Sequence, residues 1–489
     1  MGGEGEVDPG TLDYSPILVL LVGVVAVFTQ DLVRENSKTT LAITSVTLTL
    51  VCLISTLLVT THTHLSVGGV FVFNSYSFFF TAVFSASALL ACIQSSAYTE
   101  TKSNPFEFYA LILAATAAMS FVAAATNLMA LFVVFEAATV STYAMTAYSR
   151  RQKSSAEAAI KFFVVGAVSS GIILYGISLL YIATGSLNIS PITTIIHGGS
   201  QLLSVAFILL IAGFGFKVAA VPFHMWLPDT YEGAPYPTTS FLSSASKVMG
   251  FAALVKIFFY MGPSVTAIAG LDWRLIFAAL ALLTMTLGNL AALVQTSFKR
   301  LLAYSSISQS GYILIGLALG SGYAYAILLY FTVAYVFSKI GSFIAADNFE
   351  STYGARSITD YAWLGRRSPV ASFSLSIFLL SLAGIPPLAV FVAKFFMFYA
   401  AVQAGGAWIW LSVAGVLNSA LSLYYYARVI KNIYLGVENQ PPPDAQITRE
   451  RWSYLLPILI ALALTVLLGV FEGPVIHAAH VAINSLGGA

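Results

Sequence analysis

The chain has 489 residues, 58% of them hydrophobic and only 9% charged; against about 25% charged in a soluble domain, that balance excludes a water-soluble globular protein. The 22 Lys and Arg against 20 Asp and Glu leave a formal net charge of +2, spread over loops and a few apolar stretches, so no basic surface for nucleic acid is encoded. Cys52 and Cys92 lie inside apolar runs with no CxxC or Cys/His cluster, which reads as buried packing and argues against zinc or iron–sulfur ligation.

The start, MGGEGEVDPGTLDYSP, is acidic and lacks the basic region of a secretory signal, so the first apolar run reads as a retained span. Glu6 breaks a myristoylation pattern. Apolar runs of about 20 residues, the length that crosses a hydrocarbon core of roughly 30 Å, then recur about fourteen times. An N-terminal three-helix segment, 1–105, holds spans at 14–31, 39–60 and 75–97. A first five-helix group, 106–260, holds 106–125, 128–148, 156–183, 201–222 and 236–260. A second, 273–434, holds 273–295, 299–319, 323–348, 370–402 and 407–434, and the C-terminal segment 435–489 holds 453–471 followed by a tail with His477 and His480.

Loop charge predicts the orientation. The loops after odd-numbered spans carry Arg34, Lys38, Lys102, Arg150, Arg151, Lys153, Lys299, Arg300, Arg356, Arg366, Arg367, Arg449 and Arg451, with Lys431 at their edge; the opposite loops carry only Arg274. By the positive-inside rule the former are cytoplasmic and both termini lie outside.

The two five-helix groups also match internally. In each, the third span carries a lysine (Lys161, Lys339), and the fourth carries another (Lys217, Lys394) just after helix breakers. The breakers are Gly213 and Gly215 in span 7, and Gly384, Pro386 and Pro387 in span 12. Five is odd, so the second group runs upside down relative to the first, as in transporters built from inverted repeats with ion sites near the midplane. The expected fold class is therefore an all-α polytopic membrane protein, with two inverted five-helix repeats and broken helices at spans 7 and 12. The match is imperfect, because opposite Lys247 span 13 offers Asn418, Ser419 and Ser422.

Chemistry is concentrated in buried charge. A charged side chain at the bilayer centre costs roughly 2.5–3.5 kcal/mol on insertion scales, so such residues mark ion routes by default. Glu136 is the acid most securely inside a span, and at an effective dielectric near 20 it would attract an ammonium 4 Å away by about 4 kcal/mol. Moving that acid would switch proton release from the lysine. Lys217, Lys247, Lys339 and Lys394 read as a polar axis joined by water and hydroxyl side chains, whereas Lys161, near its span end, divides evenly between axis and snorkelling. Lys256 reads as a snorkelling anchor. Asp347, two turns beyond Lys339, is too far for a direct pair and suggests a water link. His224, beside Trp226 and Asp229, reads equally as a loop histidine or as an entry relay with a pKa near 6.5. His62, His64 and His197 form too weak a pattern for a metal, and Gly213 and Gly215 lack the third glycine and preceding strand of a nucleotide loop. No metal and no redox cofactor are expected in this chain.

Glu136, Lys217 followed by VPFHMWLPDTYEGAP, Lys247 in SSASK, FKRLLAYSSISQSGYILIG and GIPPLAVFVAKF together resemble the antiporter-like subunits of respiratory complex I. Lys394 and the run SLYYYARVIKNIYLG favour subunit N among them, or its counterpart in the related archaeal deazaflavin-dependent dehydrogenase; Lys339 is more like subunit L. The resemblance implies Glu136 as modulating acid, Lys217 as central proton carrier, Lys247 as linking lysine and Lys394 as terminal carrier, with Lys161, Lys339 and His224 as further candidates. It implies membrane and peripheral partner subunits that hold the flavin and iron–sulfur clusters, and an electron path from NADH, ferredoxin or reduced deazaflavin to a quinone or methanophenazine. The rival readings are a subunit of a multi-subunit sodium/proton antiporter or membrane-bound hydrogenase, which share the fold, and an independent secondary transporter. The last lacks any cluster of substrate ligands besides the lysines.

Overall fold

A computed structural model describes residues 15–33, 38–59, 65–100, 104–149, 152–190, 201–260, 272–436 and 451–487. The acidic start, His62, His64, His197 and the loop cations Arg34, Lys102, Arg150, Arg151 and Arg449 lie outside the described residues. The elements run α1 (Ser15–Val33), α2 (Lys38–Leu58), β1 (Leu65–Val67), β2 (Phe71–Phe73), α3 (Ser75–Thr99), α4 (Pro105–Ala124), α5 (Leu128–Thr146) and α6 (Lys153–Thr184). Then come α7 (Gln201–Val218), the short α8 (Trp226–Gly233), α9 (Tyr236–Phe259), α10 (Trp273–Leu293), α11 (Phe298–Leu319) and α12 (Gly322–Tyr353). The chain ends with α13 (Pro369–Ala383), α14 (Ala389–Ala404), α15 (Ile409–Leu435), α16 (Trp452–Val470) and α17 (Gly473–Gly487).

Among the described residues 13 helices are long and apolar enough to cross a membrane, and the two shorter apolar helices α13 and α14 together fill the run expected as span 12. Helix ends follow local chemistry. Asn127, Asp272, Ser297 and Ser321 accept backbone N–H bonds at N-termini, and Gly185, Gly320 and Gly354 close C-termini in the left-handed conformation. β1 and β2 form one antiparallel hairpin, Ser66 opposite Val72, which the apolar-run reading did not anticipate.

Three helices have almost no outward surface: the most apolar windows of α9 and α12 are 100% buried and that of α11 94%, against 28% for α1. A helix apolar on all sides suits hydrocarbon; these three instead are walled in by protein, and they carry the buried polar residues. Close approach is built from glycine. A Cβ on Gly311 of α11 would lie 2.4 Å from the backbone nitrogen of Met285 in α10, and one on Gly341 of α12 would lie 2.4 Å from the Phe378 ring of α13.

Two expectations about breaks have different outcomes. Span 12 divides as expected: α13 ends at Gly384 (φ +95°) and α14 begins five residues later. Span 7 does not break at Gly213 and Gly215. The helix runs through both to Val218, because a Cβ at these positions would meet Ile173 at 2.3 Å and Phe223 at 3.0 Å, so the glycines serve packing. The chain leaves the helix at Ala219 (φ +57°), beyond Lys217. The stretch read as a tail is helix α17, packed on α12 and α3.

Candidate functional site

Lys217, Lys247, Lys339 and Lys394 are 2%, 2%, 0% and 3% exposed, and among the described residues none has a carboxylate within ion-pair reach. Each ammonium is met by oxygen and by aromatic faces. Lys217, in the last turn of α7, donates to Thr139 Oγ1 at 3.1 Å and lies 5.6 Å from the Phe135 ring centre. Its stem packs on α9 one turn beyond Lys247, where a Cβ on Gly250 would touch it at 3.2 Å.

Lys247 follows a π-helical turn, Leu242–Ser246, of the kind that often marks a functional site. It donates to the Ser306 carbonyl at 2.8 Å. Lys339 donates to the Leu302 carbonyl at 2.7 Å and to Ser305 Oγ, which also accepts from Tyr426 Oη at 2.9 Å. Lys394 donates to the Leu382 and Ala383 carbonyls at 3.0 and 3.2 Å, the open C-terminal end of α13, where the helix dipole favours a cation. It also lies 4.3 Å from the Tyr312 ring centre. Gln309 Nε2 donates to that same Leu382 carbonyl at 2.9 Å.

These contacts assign α11 a role that the sequence reading missed. Leu302, Ser305, Ser306, Gln309 and Tyr312 occupy one face of α11 and meet Lys339, Lys247 and the surroundings of Lys394 in turn. The signal was in the segment AYSSISQSGY, whose polar residues recur at three- and four-residue spacing within an apolar run.

Glu136 lies on α5 one turn before Thr139, half-buried, and its Oε1 accepts from Ser170 Oγ at 2.7 Å. The direct ion pair considered for it with a lysine is absent; the acid and Lys217 are linked through α5. Asp347 accepts from Gln94 Nε2 at 2.7 Å and does not pair with Lys339. Lys256 corrects the snorkelling reading. It is 2% exposed and its ammonium turns inward, donating to the Ala123 carbonyl at 2.6 Å near the C-terminus of α4.

Lys161 stands apart from the axis. Its side chain is 44% exposed and binds Asp229 at 2.8 Å and Glu157 at 2.7 Å, while Arg300 binds Asp229 and Glu232, both at 2.8 Å. These residues line a cleft of about 320 Å³ at the α8 end of the bundle. The Lys161 hydrogen bond, then Arg300, holds the Asp229 carboxyl below the usual carboxylate range. His224, in the turn before α8, is half-buried with Nδ1 unpartnered; burial lowers its pKa. Trp226 stacks on Phe162 with ring centres 4.5 Å apart and donates to the Phe216 carbonyl at 3.0 Å, tying α8 to the end of α7.

This arrangement sits inside a recognised sequence family. The family described as NADH:quinone oxidoreductase/Mrp antiporter, TM, matches residues 125–422. The chain belongs to this family. The match spans Glu136 and all four axis lysines of this antiporter-family chain. NADH-quinone oxidoreductase subunit N of Moorella thermoacetica is 41% identical over 409 residues, 83% of this chain and 84% of that one. F(420)H(2) dehydrogenase subunit N of Methanosarcina mazei is 41% identical over 423 residues, 83% of each. A chain of respiratory complex I from Thermus thermophilus has a TM-score of 0.79 at 29% identity and covers 94% of this chain, which covers 98% of it. The resemblance to subunit N of complex I or its archaeal relative therefore holds.

Proposed function

We propose that this chain is a proton-translocating membrane subunit of a complex-I-like respiratory oxidoreductase, assembled with other membrane subunits and with peripheral subunits that carry the redox groups. The observation that carries the reading is the set of four axis lysines, buried without counter-ions among the described residues and three of them arrayed along α11, with Lys256 a fifth buried lysine that lies apart from this array on the Ala123 carbonyl. A buried, unpaired ammonium is held at a cost of several kcal/mol, and a group relieved of that cost by passing its proton on is suited to be a carrier. Lysine also favours protons over sodium, since an ammonium only donates and cannot coordinate a cation.

In this reading Glu136 modulates Lys217, Lys247 links the halves through Ser306 and Lys339, and Lys394 is the terminal carrier. His224 and the Lys161 cleft lie at the mouth. We read the two five-helix groups as inverted repeats, with the α8 end cytoplasmic and both termini outside. The donor is NADH, ferredoxin or reduced deazaflavin and the acceptor a quinone or methanophenazine; the names of the relatives support the NADH and F420H2 alternatives most directly.

The test is proton uptake by vesicles reconstituted with the purified complex. Lys217→Ala, Lys247→Ala and Lys394→Ala should each depress coupled turnover with assembly intact, and normal pumping without Lys217 would remove the central role. Mass spectrometry of the co-purifying peripheral subunits identifies the donor.

A further inference from the structure

We propose that Asp347 is a further proton-exchanging residue of this chain, joining the α8 face of the bundle to Lys339. The proposal rests on the proton-translocation reading above. Asp347 is the buried acid of α12, the helix that also carries Lys339, and it is only 8% exposed. Its place across the membrane is set by α3. Tyr76 of α3 packs beside the Lys256 ammonium, 5.7 Å from ring centre to nitrogen, whereas Gln94 of the same helix binds Asp347. Eighteen residues of helix separate Tyr76 from Gln94, about 27 Å at 1.5 Å per residue. Asp347 and Lys256 therefore lie near opposite edges of the hydrocarbon layer, with Lys339 and Lys247 between them on neighbouring carbonyls of α11.

Toward the α8 face, Asp347 has a short path to solvent. Glu350, one turn on and 24% exposed, accepts from Tyr236 Oη at 2.8 Å and from the exposed Arg356 Nε at 2.9 Å. Lys299 sits over the Tyr236 ring at 3.8 Å and donates to the Glu232 and Ala234 carbonyls, joining this corner to α8. The titratable groups that face Asp347 are Lys299 from α11, Glu350 from its own helix, Tyr98 from α3, Tyr236 from α9 and Tyr454 from α16.

Toward the middle of the bundle, Lys339 is two turns away, about 12 Å along the axis, with the Phe343 ring between them at 5.7 Å from the ammonium. The elements packed around that gap carry buried polar atoms without a protein partner. Gln94 Oε1 is one, beside Asp347 itself. Tyr231 Oη is another, on a ring that meets Phe343 edge-on at 5.7 Å. Ser240 Oγ is a third, on the first turns of α9, which pack against both α3 and α12. Buried polar groups of this kind are ordinarily satisfied by internal water, and a water file is what carries a proton over such a distance.

The competing role is a structural tether of α12 to α3, and Asp347→Asn separates the two, since asparagine keeps an acceptor for Gln94 but cannot exchange a proton at this oxygen. The complex bearing Asp347→Asn, Asp347→Glu or Lys394→Ala is purified and its proton-to-electron ratio measured in vesicles. Assembly with a lowered ratio in the Asn variant, restored by Glu, is the expected result. An unchanged ratio in the Asn variant overturns the proposal, and so does an equal loss with Asn and Glu. Failure of the Asn variant alone to assemble assigns the acid to charge balance with Lys299, and overturns it too. A normal ratio in Lys394→Ala would mean that the underlying proton reading had failed, rather than only its extension to Asp347.

Discussion

Two acceptors decide what Glu136 does. Its carboxylate takes a hydrogen bond from Ser170 Oγ, and Lys217 is held one turn along the same helix by Thr139. Glu136→Gln preserves shape and an acceptor for Ser170, so a purely structural acid would tolerate it. We expect instead a clear loss of pumping, with partial function in Glu136→Asp, because the step depends on charge; turnover and proton-to-electron ratio in vesicles measure both. Equal defects would indicate packing, and full activity in the Gln variant would remove the electrostatic switch. His224 supplies a pH prediction of definite sign. Burial disfavours its charged form, so protonation costs more in the folded than in the unfolded protein, and stability falls as pH drops below the ordinary imidazole value near 6.5. Asp229 has the opposite logic: its depressed pKa contributes stability that is complete above the ordinary carboxylate value near 3.9 and lost only as pH falls through the lower folded value. Between pH 5.5 and 7, roughly the imidazole range, melting of the purified complex should therefore become less pH-dependent in His224→Gln and be unaltered in slope by Asp229→Asn.

The break between α13 and α14 is an element with a stated purpose, since it opens the carbonyls that hold Lys394. Gly384 makes it possible at φ +95°, and a Cβ there would approach Lys394 Cδ at 3.2 Å. Gly384→Ala should cost about 1–2 kcal/mol in backbone strain and lower both the melting temperature and the pumping ratio. Gly322→Ala is the control: nothing lies within 4 Å of its Cβ, and its effect on both measurements should be small. The end of α7 uses a different device. Ala219 takes the left-handed conformation in place of a glycine, with Val221 N–H donating to Thr284 Oγ1 at 2.9 Å just beyond it. The two lysines that looked equivalent in sequence are thus presented differently, one before a break and one after.

For the whole molecule, the proposed orientation makes the α8 face cytoplasmic. Ser154 is exposed on that face, at the edge of the cleft lined by Lys161 and Arg300. A Ser154→Cys probe in an otherwise cysteine-free chain should react with a membrane-impermeant maleimide only from the cytoplasmic side. Labelling only from outside would reverse the orientation. Replacing Cys52 and Cys92 for this purpose needs small residues, because both are fully buried and Cys52 Sγ contacts Ser85 Oγ at 3.1 Å.

The class of this protein, its spans and the identity of its charged buried residues were legible in the sequence because the bilayer imposes a length and a composition on each crossing. The break at Gly384 was legible for a related reason: a glycine and two prolines cannot continue a helix. What the sequence left open depended on neighbours distant along the chain. Lys161 and Lys256 are both lysines near span ends, yet one meets Asp229 in an open cleft and the other is sealed against Ala123; only the packing of α4, α8 and α9 decides which. The glycines of α7 read as a break, but the side chains of Ile173 and Phe223 make them a packing surface. The role of α11 was the hardest to see, since a carbonyl carries no sequence signature. Its main-chain oxygens at Leu302 and Ser306 become sites for Lys339 and Lys247 only when α9 and α12 are folded against it.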